Sequence, residues 1–169
     1  GANSGTNATG GTQNTFVGST AGEGGTSASG ANNVAVGVAA LSNYTSGDDN
    51  VCVGFEAGIG LTTGSDYVVI GVDAGTNFNA SNCVLIGRQA GGRAEGSHTG
   101  GSNTAIGDQA LHRFTTGSGN VCVGAEAGSR ITEGLSNTCI GGNAGNFMST
   151  GDQNVAVGIN SGISLTTGD

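Results

Sequence analysis

Four cysteines and two histidines are the side chains of this sequence that could act as nucleophiles, general bases or soft metal ligands. They are Cys52, Cys83, Cys122, Cys139, His98 and His112. No cysteine pair has the two-residue spacing that is typical of zinc sites. Neither histidine is accompanied by a recurrent Ser or carboxylate that would complete a catalytic triad. We therefore expect no enzyme activity, no metal ion and no cofactor.

Acidic side chains recur along the chain and are candidates for a cation-binding stripe. They include Glu56, Asp73, Asp108 and Glu126. The spacings of an EF-hand loop and of the calcium-binding nonapeptide repeat are missing. Twelve acids against four arginines and no lysine give a net charge of −8, which favours a solvated negative surface. Nucleic acids and anionic membranes are not expected as partners, because phosphate binding depends on Lys and Arg.

A phrase that the chain repeats nine times positions these side chains: an Asn, three mostly apolar residues and a Gly. We call the closing Gly of each copy the key glycine. The key glycines are Gly18, Gly37, Gly54, Gly71, Gly87, Gly107, Gly124, Gly141 and Gly158. They are 16 to 20 residues apart, most often 17, and such a period is typical of a solenoid of stacked units. We predict a single rod over residues 1–169, as a segment of a longer fibre.

The three residues before each key glycine predict a short β-strand. The first is Val or Thr and the third is Val or Ile in every copy, and β-branched residues at alternating positions favour a pleated surface. The middle residue points to the opposite face and is never charged or strongly polar. These middle residues, the middle column, are Phe16, Ala35, Cys52, Val69, Leu85, Ala105, Cys122, Cys139 and Ala156. Both strand faces are therefore predicted to be buried.

The recurrent Asn of the phrase stands four residues before the key glycine in seven of the nine copies. Tyr67 and Cys83 are the exceptions. Asn is suited to tight turns, and Asn side chains stacked about 4.8 Å apart also form amide ladders. The sequence leaves the choice between a turn former and a ladder open.

The core that one chain can build is thin, because each repeat supplies two or three sizeable apolar side chains and an Ala. Burial contributes about 1.5–3 kcal/mol per large side chain, against about 1–2 kcal/mol lost per ordered residue. We therefore predict a homotrimer in which the middle column, with its small residues, lies in the core or at the trimer axis. A self-sufficient monomeric solenoid is the alternative. Nine stacked units would span about 43 Å.

Three of the cysteines belong to the middle column, and Cys83 replaces a recurrent Asn. Cys122 and Cys139 are one repeat apart, which brings a disulfide within geometric reach. Ala and Val at the equivalent positions of other repeats favour small buried thiols instead. Metal binding by symmetry-related thiols is a third alternative.

The longest interval, between Gly87 and Gly107, contains three extra residues that must bulge from the stack. Insertions into repeats form surface loops, and such loops often bind ligands. One interpretation is a receptor-contact loop formed by Arg93, Glu95, Ser97 and His98. The other is a tolerated surface insertion without a partner.

Two stretches of the sequence resemble the repeats of two groups of trimeric surface fibres. They are Ser-Asn-Thr-Ala-Ile-Gly-Asp-Gln-Ala-Leu at 102–111 and Asn-Val-Ala-Val-Gly at 154–158. The first group is the head repeat of YadA-type trimeric autotransporter adhesins, with its Asn-x-Val-Ala-Ile-Gly phrase. The second is the Asn-Thr-Ala-x-Gly-Tyr-Gln-Ala repeat of phage tail fibres and related bacterial fibre proteins, often followed by Thr-Thr-Gly. Asp108 replaces the usual Tyr, and the YadA-type repeat is shorter than this one.

The resemblance covers roughly residues 14–168. It implies a left-handed parallel β-roll or a similar β-prism of three chains, displayed on a virion or cell surface for attachment. The partners would be further copies of the chain and a cell-surface glycan or protein receptor. Insertion into a membrane is not expected, because no apolar run approaches the ~20 residues of a span.

The sequence thus predicts a structural and adhesive module of an extracellular fibre. A filament that assembles by end-to-end stacking is an alternative. An ice-binding solenoid is another, although paired threonines occur in only some repeats and lie beside turn glycines. A hexapeptide-repeat acyltransferase is a further, disfavoured alternative. It would need an aliphatic residue at every sixth position, and this spacing is not kept after the key glycines.

Overall fold

Nine strands of three residues, one in each repeat, form a single sheet in the computed structural model, which describes residues 1–92 and 98–163. The strands are β1 (Thr15–Val17), β2 (Val34–Val36), β3 (Val51–Val53), β4 (Val68–Ile70), β5 (Val84–Ile86), β6 (Thr104–Ile106), β7 (Val121–Val123), β8 (Thr138–Ile140) and β9 (Val155–Val157). Each strand is hydrogen-bonded to the next, in the order β1 to β9. The described residues contain no helix.

Equivalent residues of neighbouring repeats lie opposite each other in this parallel sheet. Phe16 pairs with Ala35, and Cys122 pairs with Cys139. The register is kept even across the longest interval, where Leu85 pairs with Ala105. Each repeat is therefore one rung of a β-solenoid with about eight turns, and the predicted all-β repeat fold is confirmed.

The key glycines end the strands because no other residue fits at these corners. Their φ angles lie between +117° and +140°, a range in which L side chains are strained. A Cβ atom on Gly107 would also lie 2.4 Å from the carbonyl oxygen of Gly124 in the next rung. Backbone conformation and close stacking therefore both require glycine here.

Three columns of side chains fill the interior of the coil. The middle column points inward and is buried from Ala35 to Ala156, while Phe16 in the first rung is partly buried. The second column is the Ala three residues after the key glycine, which is fully buried in eight rungs. The third consists of larger side chains seven residues after it, namely Tyr44, Leu61, Phe78, Phe114, Ile131 and Met148. The apolar residues that recur in the sequence thus form one continuous core.

The recurrent Asn residues form the amide ladder that the sequence left open. The backbone N–H of Asn120 donates to Oδ1 of Asn103 (2.9 Å), and the N–H of Asn137 donates to Oδ1 of Asn120 (2.9 Å). Nδ2 of Asn120 donates to the carbonyl oxygen of Gly134 in the next rung (2.8 Å). Each buried amide thus joins two rungs and satisfies backbone groups that have no water to bind.

Tyr67 and Cys83 stand in the Asn column and replace its hydrogen bonds by other means. The Tyr67 hydroxyl donates to the carbonyl oxygen of Ala80. The backbone N–H of Asn103 donates to Sγ of Cys83 (3.3 Å). Tyr67 thus replaces the amide as a donor, and Cys83 replaces it as an acceptor with a sulfur atom.

The first and third residues of each strand are exposed or partly exposed in the single chain, so burial of this second face by sister chains stays a prediction. Successive side chains of a strand alternate between the two sides of the coil wall, and only one side faces the interior. The middle column takes that side and fills its own coil. It therefore does not face a trimer axis, and the first and third strand residues point outward.

Candidate functional site

The outward face of the sheet is a regular surface feature that recurs in every strand. We call it the outer strand face, and it consists of the first and third residues of the nine strands. The first residues are Thr15, Val34, Val51, Val68, Val84, Thr104, Val121, Thr138 and Val155. The third residues are Val17, Val36, Val53, Ile70, Ile86, Ile106, Val123, Ile140 and Val157. All are β-branched and none is charged.

This apolar face is accessible to solvent along its whole length. Ile70 and Ile140, far apart in the stack, are 37% and 41% exposed. Ile106 and Val121, in the middle of the stack, are 36% and 37% exposed. Contiguous exposed apolar surface of this kind marks interaction sites in soluble proteins. At about 4.8 Å per rung, the nine rungs make a strip about 43 Å long.

The outer strand face is extended on one side by the residues that directly follow the key glycines. Val38, Phe55 and Val72 stack in successive rungs there and are each nearly half exposed. In the next two rungs the same position holds Arg88 and Asp108, whose side chains form an ion pair of 2.8 Å. The apolar patch is thus widest over the second to fourth rungs, and a charged pair lies beyond it.

His98 lies in the interior of the coil, which corrects its assignment to a receptor-contact loop. It is fully buried and forms a parallel β-bridge with Phe78. Its ring centroid is 5.7 Å from that of Phe78 and 4.9 Å from that of Phe114. The imidazole therefore continues the aromatic interior column. The other members of the predicted loop, Arg93, Glu95 and Ser97, lie outside the described residues.

The four cysteines are free thiols buried in the coil. Burial raises the pKa of Cys52 to about 12 and that of Cys83 to about 11. Thiols in such surroundings are poor nucleophiles, because the thiolate is the reactive form. Over residues 1–92 and 98–163, no group of three or more His, Cys, Asp or Glu side chains could hold a metal ion.

The four acidic candidates for a cation-binding stripe, all of them among the described residues, lie in different surroundings. Asp108 is engaged by Arg88, and Glu126 accepts a long hydrogen bond (3.4 Å) from Nδ2 of Asn146. Glu56 and Asp73 line an open pocket of about 270 Å³ on the corner of the third and fourth rungs. Carboxylates on an open surface at this spacing are hydrated charges, and nothing in this pocket indicates a bound cation.

The direction of the outer strand face is the feature that sequence reasoning missed. Both sides of the strand carry apolar residues, so hydrophobicity gives no preferred direction. The Asn immediately before seven of the nine strands, buried in most of them, was the available signal. Successive side chains of a strand point to opposite sides. The Asn and the middle residue both point inward, so the first strand residue, which lies between them in the sequence, must point outward.

Comparisons with protein-family models, with curated proteins and with solved structures gave no match to this chain. The described part of the chain has no helix that is long and apolar enough to cross a membrane.

Proposed function

We propose that this chain is a structural and adhesive module of an extracellular fibre and that it assembles as a homotrimer through its outer strand face. The observation that carries the proposal is the uncharged β-branched strip that one chain leaves exposed. Val17, Ile70 and Ile140 on this strip are between 37% and 55% exposed. Covering such a strip removes apolar surface from water at about 25 cal/mol per Å².

A parallel arrangement of three copies suits a strip that repeats the same two columns at every rung. Chains that lie parallel about a three-fold axis place equal rungs at equal height, so that each Val or Ile meets its own equivalents. The irregular interval between Gly87 and Gly107 then occurs at one level in all three chains. The resemblance to trimeric fibre repeats supports this choice of symmetry.

The rod would hold binding groups at a fixed distance from the surface that carries it. The backbone of every rung is hydrogen-bonded to the next on several sides of the coil, as in Gly91 N–H to the Ala110 carbonyl and Thr115 N–H to the Thr132 carbonyl. Such a stack resists bending because many ladders must deform together. The proposed receptor is a cell-surface glycan or protein, and the proposed location is a virion or cell surface.

Assembly is tested by placing a charge on the outer strand face. Ile106→Glu is expected to give monomers in sedimentation velocity while the β-type circular dichroism persists, because the side chain points out of the coil. Thr116→Glu, at an exposed turn position, is the matched control and should leave the assembly intact. Monomeric behaviour of the unmodified chain would refute the trimer.

Adhesion is tested separately, by binding of the labelled, assembled protein to glycan arrays and to intact cells. Saturable binding that competes with unlabelled protein supports the adhesive role. Absence of binding by an intact trimer would limit the function to that of a spacer.

A further inference from the structure

Cys122 and Cys139 occupy the same interior position in neighbouring rungs. They are register partners in β7 and β8, and both are fully buried. A Cβ atom on Gly128 would lie 2.4 Å from Sγ of Cys122, and one on Gly145 would lie 2.4 Å from Sγ of Cys139. The two side chains therefore point in the same direction, so that their sulfur atoms are stacked one rung apart.

A third sulfur atom lies beside this pair. The same Cβ position on Gly145 is 2.7 Å from Sδ of Met148, so Sδ is within about 5 Å of Sγ of Cys139. Met148 is fully buried. Two thiols and a thioether thus share one apolar compartment, and these soft ligands select Cu(I) over hard cations.

The rung spacing can accommodate a bridging ion. Both thiols are free in the structure, although a spacing of about 4.8 Å also lies within the Cα separations of disulfides. Two metal–sulfur bonds of about 2.3 Å placed end to end span nearly the full rung. The stacked sulfur atoms can therefore bind a two-coordinate ion with little movement of the backbone.

We propose that Cys122 and Cys139 bind one soft monovalent ion of the Cu(I) class between the seventh and eighth rungs, with the Met148 thioether as a third ligand. The ion replaces the proton of one thiol, which is released to solvent, and the other thiol donates a sulfur lone pair. The positive charge of the ion cancels the negative charge of the thiolate, so the apolar interior stays neutral. The site lies within one chain and does not depend on the proposed trimer.

Cys52 provides a matched control within the same molecule. It is equally buried in the middle column, but its register partners are Ala35 and Val69. The position equivalent to Met148 holds Leu61, whose Cδ1 would lie 2.8 Å from a Cβ atom on Gly58. Cys52 therefore has the same burial without a second sulfur atom beside it.

The test is Cu(I) binding during refolding without oxygen, with a bidentate Cu(I) chelator in excess as competitor and native mass spectrometry as the readout. The expected result is one Cu(I) retained per chain, unaffected by Cys52→Ala. Cys122→Ala and Cys139→Ala should each weaken retention at least about tenfold. Both variants are expected to fold, because Ala occupies the same column at Ala35 and Ala105.

Circular dichroism of each variant confirms the fold before binding is compared. Met148→Leu should keep the fold and reduce Cu(I) affinity less than either cysteine variant. Failure of the unmodified chain to retain Cu(I) would overturn the site. Equal losses on Cys52→Ala and Cys139→Ala would overturn it too, because binding would then be a property of any buried thiol.

Discussion

Asn120 provides the sharpest test of the amide ladder that joins the rungs. In the structure Nδ2 donates to the Gly134 carbonyl (2.8 Å), and Oδ1 accepts the backbone N–H of Asn137 (2.9 Å). Asn120→Ala removes both contacts. The Gly134 carbonyl and the Asn137 N–H would then be buried without these partners.

The expected cost follows from these two groups. A buried polar group that loses its hydrogen bond costs about 1–3 kcal/mol, so the loss at two groups should destabilise the fold by about 2–6 kcal/mol. The N–H of Asn120 still donates to Oδ1 of Asn103, so the damage is confined to the contact with the following rung. Asn43→Ala is the control, because Asn43 is exposed and should change stability by about 0.5 kcal/mol or less.

Urea unfolding measures the effect on the free energy of unfolding of the whole chain, and amide hydrogen exchange measures it at single residues. Exchange of the Asn137 amide should accelerate by about two orders of magnitude for a local loss of about 3 kcal/mol. Amides two rungs away should respond less, because stability in a stacked array is set by nearest neighbours. Equal stability of Asn120→Ala and Asn43→Ala would refute the structural role of the ladder.

The remaining predictions concern the corner glycines, the middle column and the buried thiols. Gly107→Ala should abolish cooperative thermal unfolding, because its φ is +136° and its Cβ would meet backbone 2.4 Å away; Gly142→Ala, with no atom within 4 Å, should be neutral. Ala105→Glu should prevent folding as followed by circular dichroism, whereas Asp108→Lys breaks an exposed ion pair worth at most about 1 kcal/mol and should barely change the melting temperature. Cys52 should resist thiol reagents at pH 8 in the folded chain and react in denaturant. Burial raises the pKa of Cys52 from 9.0 to about 12, so the protonated thiol contributes fully to the stability of the fold below pH 9. This contribution should fall by about 1.4 kcal/mol per pH unit as the pH rises from 9 towards 12, because the unfolded chain loses the proton first. A pH–stability curve unchanged by Cys52→Ala would contradict this.

The position of each strand could be predicted from the sequence because the requirements at its two ends are strict. Gly107 must be glycine for its φ and for the approach of the next rung, and Asn103 must offer both a donor and an acceptor. The glycine recurs in all nine repeats and the Asn in seven of them, so both appear as columns in the sequence. The middle residue between them, Ala105, was correctly identified as buried.

The direction of the strand faces was harder to predict, because Ile106 and Ala105 are both apolar and differ mainly in size. Small residues in the middle column suggested a symmetry axis, whereas in the structure they leave room for the large side chains seven residues after the key glycine, such as Phe114. Ile106 lies instead on the exposed side of the strand.

The sequence pattern also did not predict which residues of the inserted segment lie on the surface and which lie in the core. The spacing of Gly87 and Gly107 correctly located extra residues, but it did not show where the register resumes. His98 returns to the interior between Phe78 and Phe114 because the apolar column would otherwise have a gap in that rung. A single imidazole can fill such a gap, so its position in the sequence alone did not distinguish core from surface.

The mass of the unmodified chain in solution tests the central claim, that sister chains cover the outer strand face, more directly than any variant. Sedimentation equilibrium at micromolar concentration should give about three times the chain mass of 16.1 kDa, with no dependence on rotor speed. A mass equal to that of one chain would contradict the proposed assembly and would leave the exposed Val and Ile columns without a partner.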